Sequence, residues 1–132
     1  MQHYVIGFLF DEEYQKAVMI EKKTPEWQKG LWNGVGGKVE PNEDPYGAMC
    51  REFREETSVT YNDWILSATY YFHRASTIHV FYGSTKLENF DFKSVTVEKV
   101  AILDASPRRG VNVVEGVNTM ISMIMEQVYG KI

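Results

Sequence analysis

Residues 37–59, GKVEPNEDPYGAMCREFREETSV, hold six acids: Glu40, Glu43, Asp44, Glu52, Glu55 and Glu56. Three of them fall between Glu52 and Glu56. Carboxylates this close repel, and like charges four apart on a helix cost about 0.2–0.5 kcal/mol. A hard divalent cation, Mg²⁺ or Mn²⁺, reverses that sign. Such ions take oxygen ligands and combine a few carboxylates with phosphate and water. The alternative is a solvated acidic face balanced by Arg51 and Arg54. Gly34, Gly36 and Gly37, just upstream, tilt the balance toward the cation, because they place open backbone beside the acids.

These acids need a helix to hold them. Asp44 is a good N-cap and Pro45 suits the first helical position, so the spacing predicts a helix from about Pro45 to Thr57. On a wheel with Glu52 at zero, Glu56 lies roughly 40° to one side and Glu55 roughly 60° to the other. Tyr46, Met49, Cys50, Phe53 and Thr57 share a separate apolar arc that can pack on a sheet. The acids then face an edge or cleft.

The rest of the chain supplies that sheet. Tyr4–Phe10 and Lys16–Lys23 read as strands around the turn DEEYQ, and LWNGVGGKVE as a short glycine-containing strand. WILSATYYFHR and TIHVFYGSTKL are rich in aromatic and β-branched residues, with Ala75-Ser76 as the turn between them. VEKVAILDA reads as a further strand. VEGVNTMISMIMEQVY carries apolar residues at helical spacing and reads as a C-terminal helix. Strands mixed with two helices suggest an α/β/α sandwich around a mixed sheet. The 132 residues suit one domain, spanning 1–132. A net charge of -4 argues against extended nucleic acid as a partner. The run Tyr4–Phe10 is too short for a membrane span and reads as a buried strand. The lone Cys50 permits no intrachain disulfide, so a cytoplasmic protein is expected, as monomer or homodimer. Cys50, His73, His79 and the cluster Met120, Met123 and Met125 read as structural residues.

Gly37, Glu43, Arg51, Glu52, Phe53, Glu55, Glu56 and Val59 resemble the Nudix box, G-x5-E-x7-R-E-U-x-E-E-x-G-U. Ser58 departs from it, standing where the family has glycine. Glycine there suits a left-handed helix end, which serine adopts at a cost of about 1 kcal/mol. The resemblance implies the Nudix fold and metal-dependent hydrolysis of a nucleoside diphosphate linked to another group. It implies Glu52 and Glu56 as metal ligands, Glu55 as a ligand or general base, the Gly36 carbonyl as a further ligand, and Arg51 as the partner of a box carboxylate such as Glu43. Glu98, in TVEKV, is the candidate for the extra acid this family often supplies near its last strand.

LWNGVGGKVE is also similar to the WNGxGGK segment of the MutT-like branch, which includes oxidised-purine nucleoside triphosphatases. That similarity implies Asn33 at a base edge, Trp32 shaping the pocket or packing, and Lys23 and Lys38 on the substrate phosphates. A plain strand-end lysine is the alternative for Lys23. A second base-reading group is expected from RRGVNVVEGVN, among Asn112, Glu115 and Asn118. The expected reaction converts a nucleoside triphosphate, an oxidised or non-standard one included, to monophosphate and pyrophosphate. The alternatives are an ADP-ribose or nucleoside diphosphate sugar pyrophosphatase and a non-catalytic nucleotide sensor.

Overall fold

The N-terminal apolar run becomes the middle of a mixed sheet. The computed structural model describes residues 1–72 and 75–130, so His73 lies outside the described residues. The elements run β1 (Gln2–Phe10), β2 (Lys16–Glu21), β3 (Trp32–Asn33), β4 (Val35–Lys38), α1 (Pro45–Thr57), β5 (Ile65–Phe72), β6 (Ser76–Ser84), β7 (Lys99–Asp104) and α2 (Val117–Val128). Short 3₁₀ turns form at Glu26–Gln28 and Leu87–Asn89. β1 pairs in parallel with β6 and antiparallel with β2 and β4. β5 adds antiparallel to β6, and β7 to β2.

Both faces of β1 and β2 are covered, which is why they read as nearly unbroken apolar runs. Val5, Leu9, Val18 and Ile20 pack under Ala48, Met49 and Phe53 of α1. Phe8, Phe10, Ala17 and Met19 pack on the opposite face against Val117, Met120, Ile121 and Ile124 of α2. The layers are helix, sheet, helix, as the periodicities predict.

Several boundaries move. The glycine-rich strand breaks at Gly34 into β3, paired with β2, and β4, paired with β1. β2 ends at Glu21, because Lys22 turns to close the following loop through Lys22 N–Leu31 O and Gly30 N–Lys22 O bonds. Ser76 is not in the turn but pairs with Phe72 at the end of the β5–β6 ladder. α2 starts at Val117, because Gly116 before it has a left-handed φ of 95°. Two expected core residues face outward. Tyr46 is 43% exposed, its hydroxyl donating to the Asn62 carbonyl, and Met123 is 37% exposed.

Two glycines set how closely the layers approach. A Cβ on Gly36 would strike the Val5 carbonyl of β1, and one on Gly37 would fall 2.5 Å from the Glu52 carboxylate. Only hydrogen fits at Gly36, while a side chain at Gly37 would displace the Glu52 carboxylate. At the far end of α1, Ser58 has φ 64° and ψ 5°, and its N–H donates to the Arg54 carbonyl. This is the left-handed end expected from the missing box glycine. Ser58→Gly is expected to stabilise the fold by about 0.5–1 kcal/mol, read as a higher Tm. A lower Tm would mean that the serine hydroxyl contributes more than its strained backbone costs.

Candidate active site

Local capping fixes the helix that carries the acids. Asp44 accepts from the Gly47 N–H at 2.6 Å, and Pro45 needs no partner at the first helical position. The loop before the cap is folded back by Glu43, whose Oε1 accepts from the Glu40 N–H at 3.0 Å.

Arg51 is the hub of the cluster. Its Nε donates to Glu43 Oε2 at 2.7 Å and its Nη2 to Glu43 Oε1 at 2.9 Å, a two-pronged ion pair. Nη2 also donates to the Lys38 carbonyl at 2.9 Å. Nη1 donates to Glu52 at 2.8 Å and to Glu55 at 3.2 Å. The guanidinium beside Glu43 holds that carboxyl down at about 2, with help from the Glu40 N–H. Glu43 reciprocally raises the Arg51 pKa, so Arg51 keeps its charge throughout.

Glu52 and Glu56 move the other way. Burial pushes the Glu52 carboxyl up against the pull of Arg51, and Glu55 and Glu56 add like charge. Burial also pushes Glu56 up, with Glu98 and Glu55 adding to the effect while Thr96 and Lys22 oppose it. Both groups therefore sit where negative charge is poorly compensated by the protein itself.

Glu98 joins this group from the start of β7. Its backbone is tied to Thr96, whose Oγ1 accepts from Glu98 N–H at 3.1 Å and donates to Glu56 Oε2 at 3.0 Å. Glu98 Oε2 accepts from the Lys23 N–H at 2.8 Å, and Lys22 Nζ lies 3.4 Å from Glu98 Oε1. At 9% exposure, Glu98 is not a solvated edge charge.

Lys22 and Thr96 escaped the sequence reading. Lys22 was findable by alternation: Val18 and Ile20 face α1, so the next residue of that parity faces the acids. The Lys23 side chain instead pairs with Glu21 at 3.3 Å and is 43% exposed. Thr96 carried no signal, since its contact with Glu56 joins residues 40 apart.

The nucleotide-side candidates divide into a tied set and a free set. Asn33 is buried, and its Oδ1 accepts from the Gly34 N–H at 2.8 Å. Trp32 packs in the core under α2 and bonds through its backbone to Asn112 O and Val114 N–H. That pairing brings Asn112 beside β3, whereas Asn118 accepts from Arg109 at 2.8 Å. The Glu115 and Lys38 side chains are exposed. Cys50 is half-buried against the α1-side core, which pushes its thiol up, and His79 bonds to Thr69 and Thr77 within the sheet.

The donor set is all oxygen, with the Glu52 and Glu56 carboxyls pushed up by burial despite Arg51, Thr96 and Lys22, and this fits a hard divalent cation. Among the described residues no group of three or more His, Cys, Asp or Glu side chains is drawn together closely enough to hold a metal ion. Arg51 Nη1 lies between Glu52 and Glu55. Any bound ion would therefore complete its shell with water or substrate phosphate, as Mg²⁺ commonly does.

The sequence model of the NUDIX domain matches residues 2–105, and the chain belongs to that family. Nudix hydrolases generally use divalent metals. A 44-residue segment is 41% identical to the CTP pyrophosphohydrolase of Escherichia coli K12, covering 33% of this chain and 33% of that protein. The chain thus spans about a third of that relative's length. The MutT Nudix hydrolase of Burkholderia pseudomallei superposes with a TM-score of 0.76 at 16% identity, over 93% of this chain and 97% of that one. The bifunctional NMN adenylyltransferase/ADP-ribose pyrophosphatase of Francisella tularensis, complexed with AMP and Mn, gives 0.79 at 17% identity, over 96% and 41%. At such identities these two likenesses show the fold. Among the described residues no helix is long and apolar enough to cross a membrane.

The Glu43–Arg51 pair makes stability depend on pH. Glu43 has a folded pKa of about 2, below its ordinary 4.5, so its contribution is full above pH 4.5 and is lost as pH falls through about 2. Glu43→Gln is expected to remove about 1 kcal/mol of stability at neutral pH, after allowing for solvent screening. Wild type and variant should then converge at acid pH. Chemical denaturation at several pH values between neutral and about 2.5 measures this, and a pH-independent gap would assign the loss to packing.

Proposed function

We propose that this chain is a divalent-metal-dependent pyrophosphohydrolase that cleaves a nucleoside triphosphate to the monophosphate and pyrophosphate. The carrying observation is the meeting of Glu56 with Glu98 through Thr96, beside Glu52, at the buried end of the acidic helix. The segment like a CTP pyrophosphohydrolase supports a triphosphate substrate. An oxidised or non-standard deoxynucleotide remains a candidate within that class. The ADP-ribose pyrophosphatase among the structural relatives motivates a second substrate for testing, since the fold is shared.

In this reading Glu52, Glu56, Glu98 and the Gly36 carbonyl would hold Mg²⁺ or Mn²⁺, with Glu55 as a further ligand or as the base. The metal would neutralise charge on the pyrophosphate and acidify an attacking water. Water oxygen bonds to phosphorus, and the phosphoanhydride P–O bond breaks with its electrons leaving on pyrophosphate. Glu55, half exposed and held by Arg51, takes the water proton. Arg51 orients Glu52 and Glu55 while Glu43 holds Arg51. Lys22, poised on Glu98, and the exposed Lys38 contact the phosphates, as does Lys23 on release from Glu21. Asn33, with Trp32 behind it, reads the base, and Asn112 is the loop residue next to that edge.

Glu56→Gln keeps shape but removes one charge and one strong oxygen ligand. Turnover is expected to fall at least about a hundredfold with the fold intact. Near-normal turnover at saturating Mg²⁺ would remove Glu56 from the ligand set. Asn33→Ala is expected to cost about 1–3 kcal/mol with the preferred base and less with others. The measurement is kcat/KM over a panel of nucleoside triphosphates and ADP-ribose at one Mg²⁺ concentration. An equal loss across the panel would make Asn33 a support for the Gly34 turn, which its Oδ1 already caps.

A further inference from the structure

Two side-chain cations reach the acids of the candidate site, and they are held very differently. Arg51 donates to Glu43, Glu52, Glu55 and the Lys38 carbonyl at 2.7–3.2 Å. Among the described residues the Lys22 ammonium has one carboxylate partner, Glu98 Oε1, at 3.4 Å. A charge-assisted N–H···O bond is ordinarily about 2.7–2.9 Å, so this contact is long. It is still sheltered from water, with the Lys22 side chain 19% exposed and that of Glu98 11%.

The backbone of Lys22 is fixed. Its N–H donates to the Leu31 carbonyl and its own carbonyl accepts from the Gly30 N–H, each at 2.8 Å. Movement is therefore left to the flexible four-carbon stem. Glu98 is fixed independently of that stem. Its Oε2 accepts from the Lys23 N–H at 2.8 Å, and its own N–H donates to Thr96 Oγ1 at 3.1 Å. The carboxylate thus keeps its place when the ammonium leaves. The Lys22 charge is also felt at Glu56, where it opposes the upward push of burial.

A carboxylate sheltered in this way cannot serve an ammonium and a divalent ion together, because the two cations repel and water screens them poorly. Arg51, with all its contacts, stays. Lys22, with one long contact, is the cation that yields. We propose that Lys22 is a resident counter-cation of the site: its ammonium holds Glu98, gives that carboxylate up to a divalent ion, and passes to the triphosphate oxygens of the substrate. This rests on the metal-dependent reading above. Lys22 then weakens divalent-ion binding to the free enzyme, and a nucleotide that draws the ammonium away strengthens it, so ion and nucleotide bind cooperatively.

Mn²⁺ binding to the full chain without nucleotide, followed by loss of the free-ion EPR signal, tests this apart from turnover. Lys22→Met keeps most of the stem and removes the charge, and Lys22→Gln is a second neutral variant. Both are expected to bind Mn²⁺ at least about fivefold more tightly than wild type. Lys22→Arg keeps the charge and should stay near wild type. Lys23→Met removes the neighbouring charge, which pairs with Glu21, and should move the Kd far less. At saturating Mg²⁺, the two neutral Lys22 variants should bind inorganic tripolyphosphate at least about fivefold more weakly. A lysine that merely supported Glu98 would weaken both readouts together, whereas the proposal requires opposite signs. Mn²⁺ binding to the neutral variants that is unchanged or weaker overturns the proposal and leaves the metal site standing. Tighter Mn²⁺ with undiminished tripolyphosphate binding overturns the passage to phosphate. Mn²⁺ binding that is absent from wild type, or unaffected by Glu56→Gln, overturns the metal-dependent reading and this proposal with it.

Discussion

Arg51 binds together groups that would otherwise push apart. Its side chain reaches Glu43 in the loop before α1, Glu52 and Glu55 on the helix, and the Lys38 carbonyl at the end of β4. One planar fork with five donors can serve all of these at once, and an ammonium could not. Without it, Glu52 and Glu55 would lose the cation that lies between them. The pair with Glu43 is strong because both prongs engage. The links to Glu52 and Glu55 are single contacts, which leaves those carboxylates able to exchange partners.

The sheet supplies the ground on which this works. Gly36 lies so close to β1 that no side chain fits, and Gly37 leaves the space that the Glu52 carboxylate fills. The Gly37 position lets the Glu52 carboxylate lie against β4, where it is buried. Burial is the largest cause raising the Glu52 and Glu56 carboxyls. Met49 and Phe53 hold the opposite arc of that helix in the core.

The second half of the site comes from a different part of the chain. Thr96 clasps Glu56 and the Glu98 backbone, while the backbone of Lys23 and the ammonium of Lys22 hold the Glu98 side chain. Lys22 offsets some of the negative charge there but leaves Glu56 shifted upward. Like charges are gathered at this cluster, and functional sites are where such local conflicts collect.

The acidic helix was legible from residues 44–57 because its cap, its first proline and its two arcs are local facts, set by a 3.6-residue repeat. The left-handed Ser58 was legible only through the resemblance, since it stands where the Nudix box has glycine. What the sequence could not determine were choices made by contacts between distant segments. Thr96 reaches Glu56 across 40 residues of chain, a contact no local pattern marks. The long glycine-rich strand splits at Gly34, because β2 claims one half and β1 the other. Met123 and Tyr46 share a helical repeat with core residues but face outward. Periodicity names the face of an element, and only the packing of the whole chain decides how far the neighbouring layer extends over it.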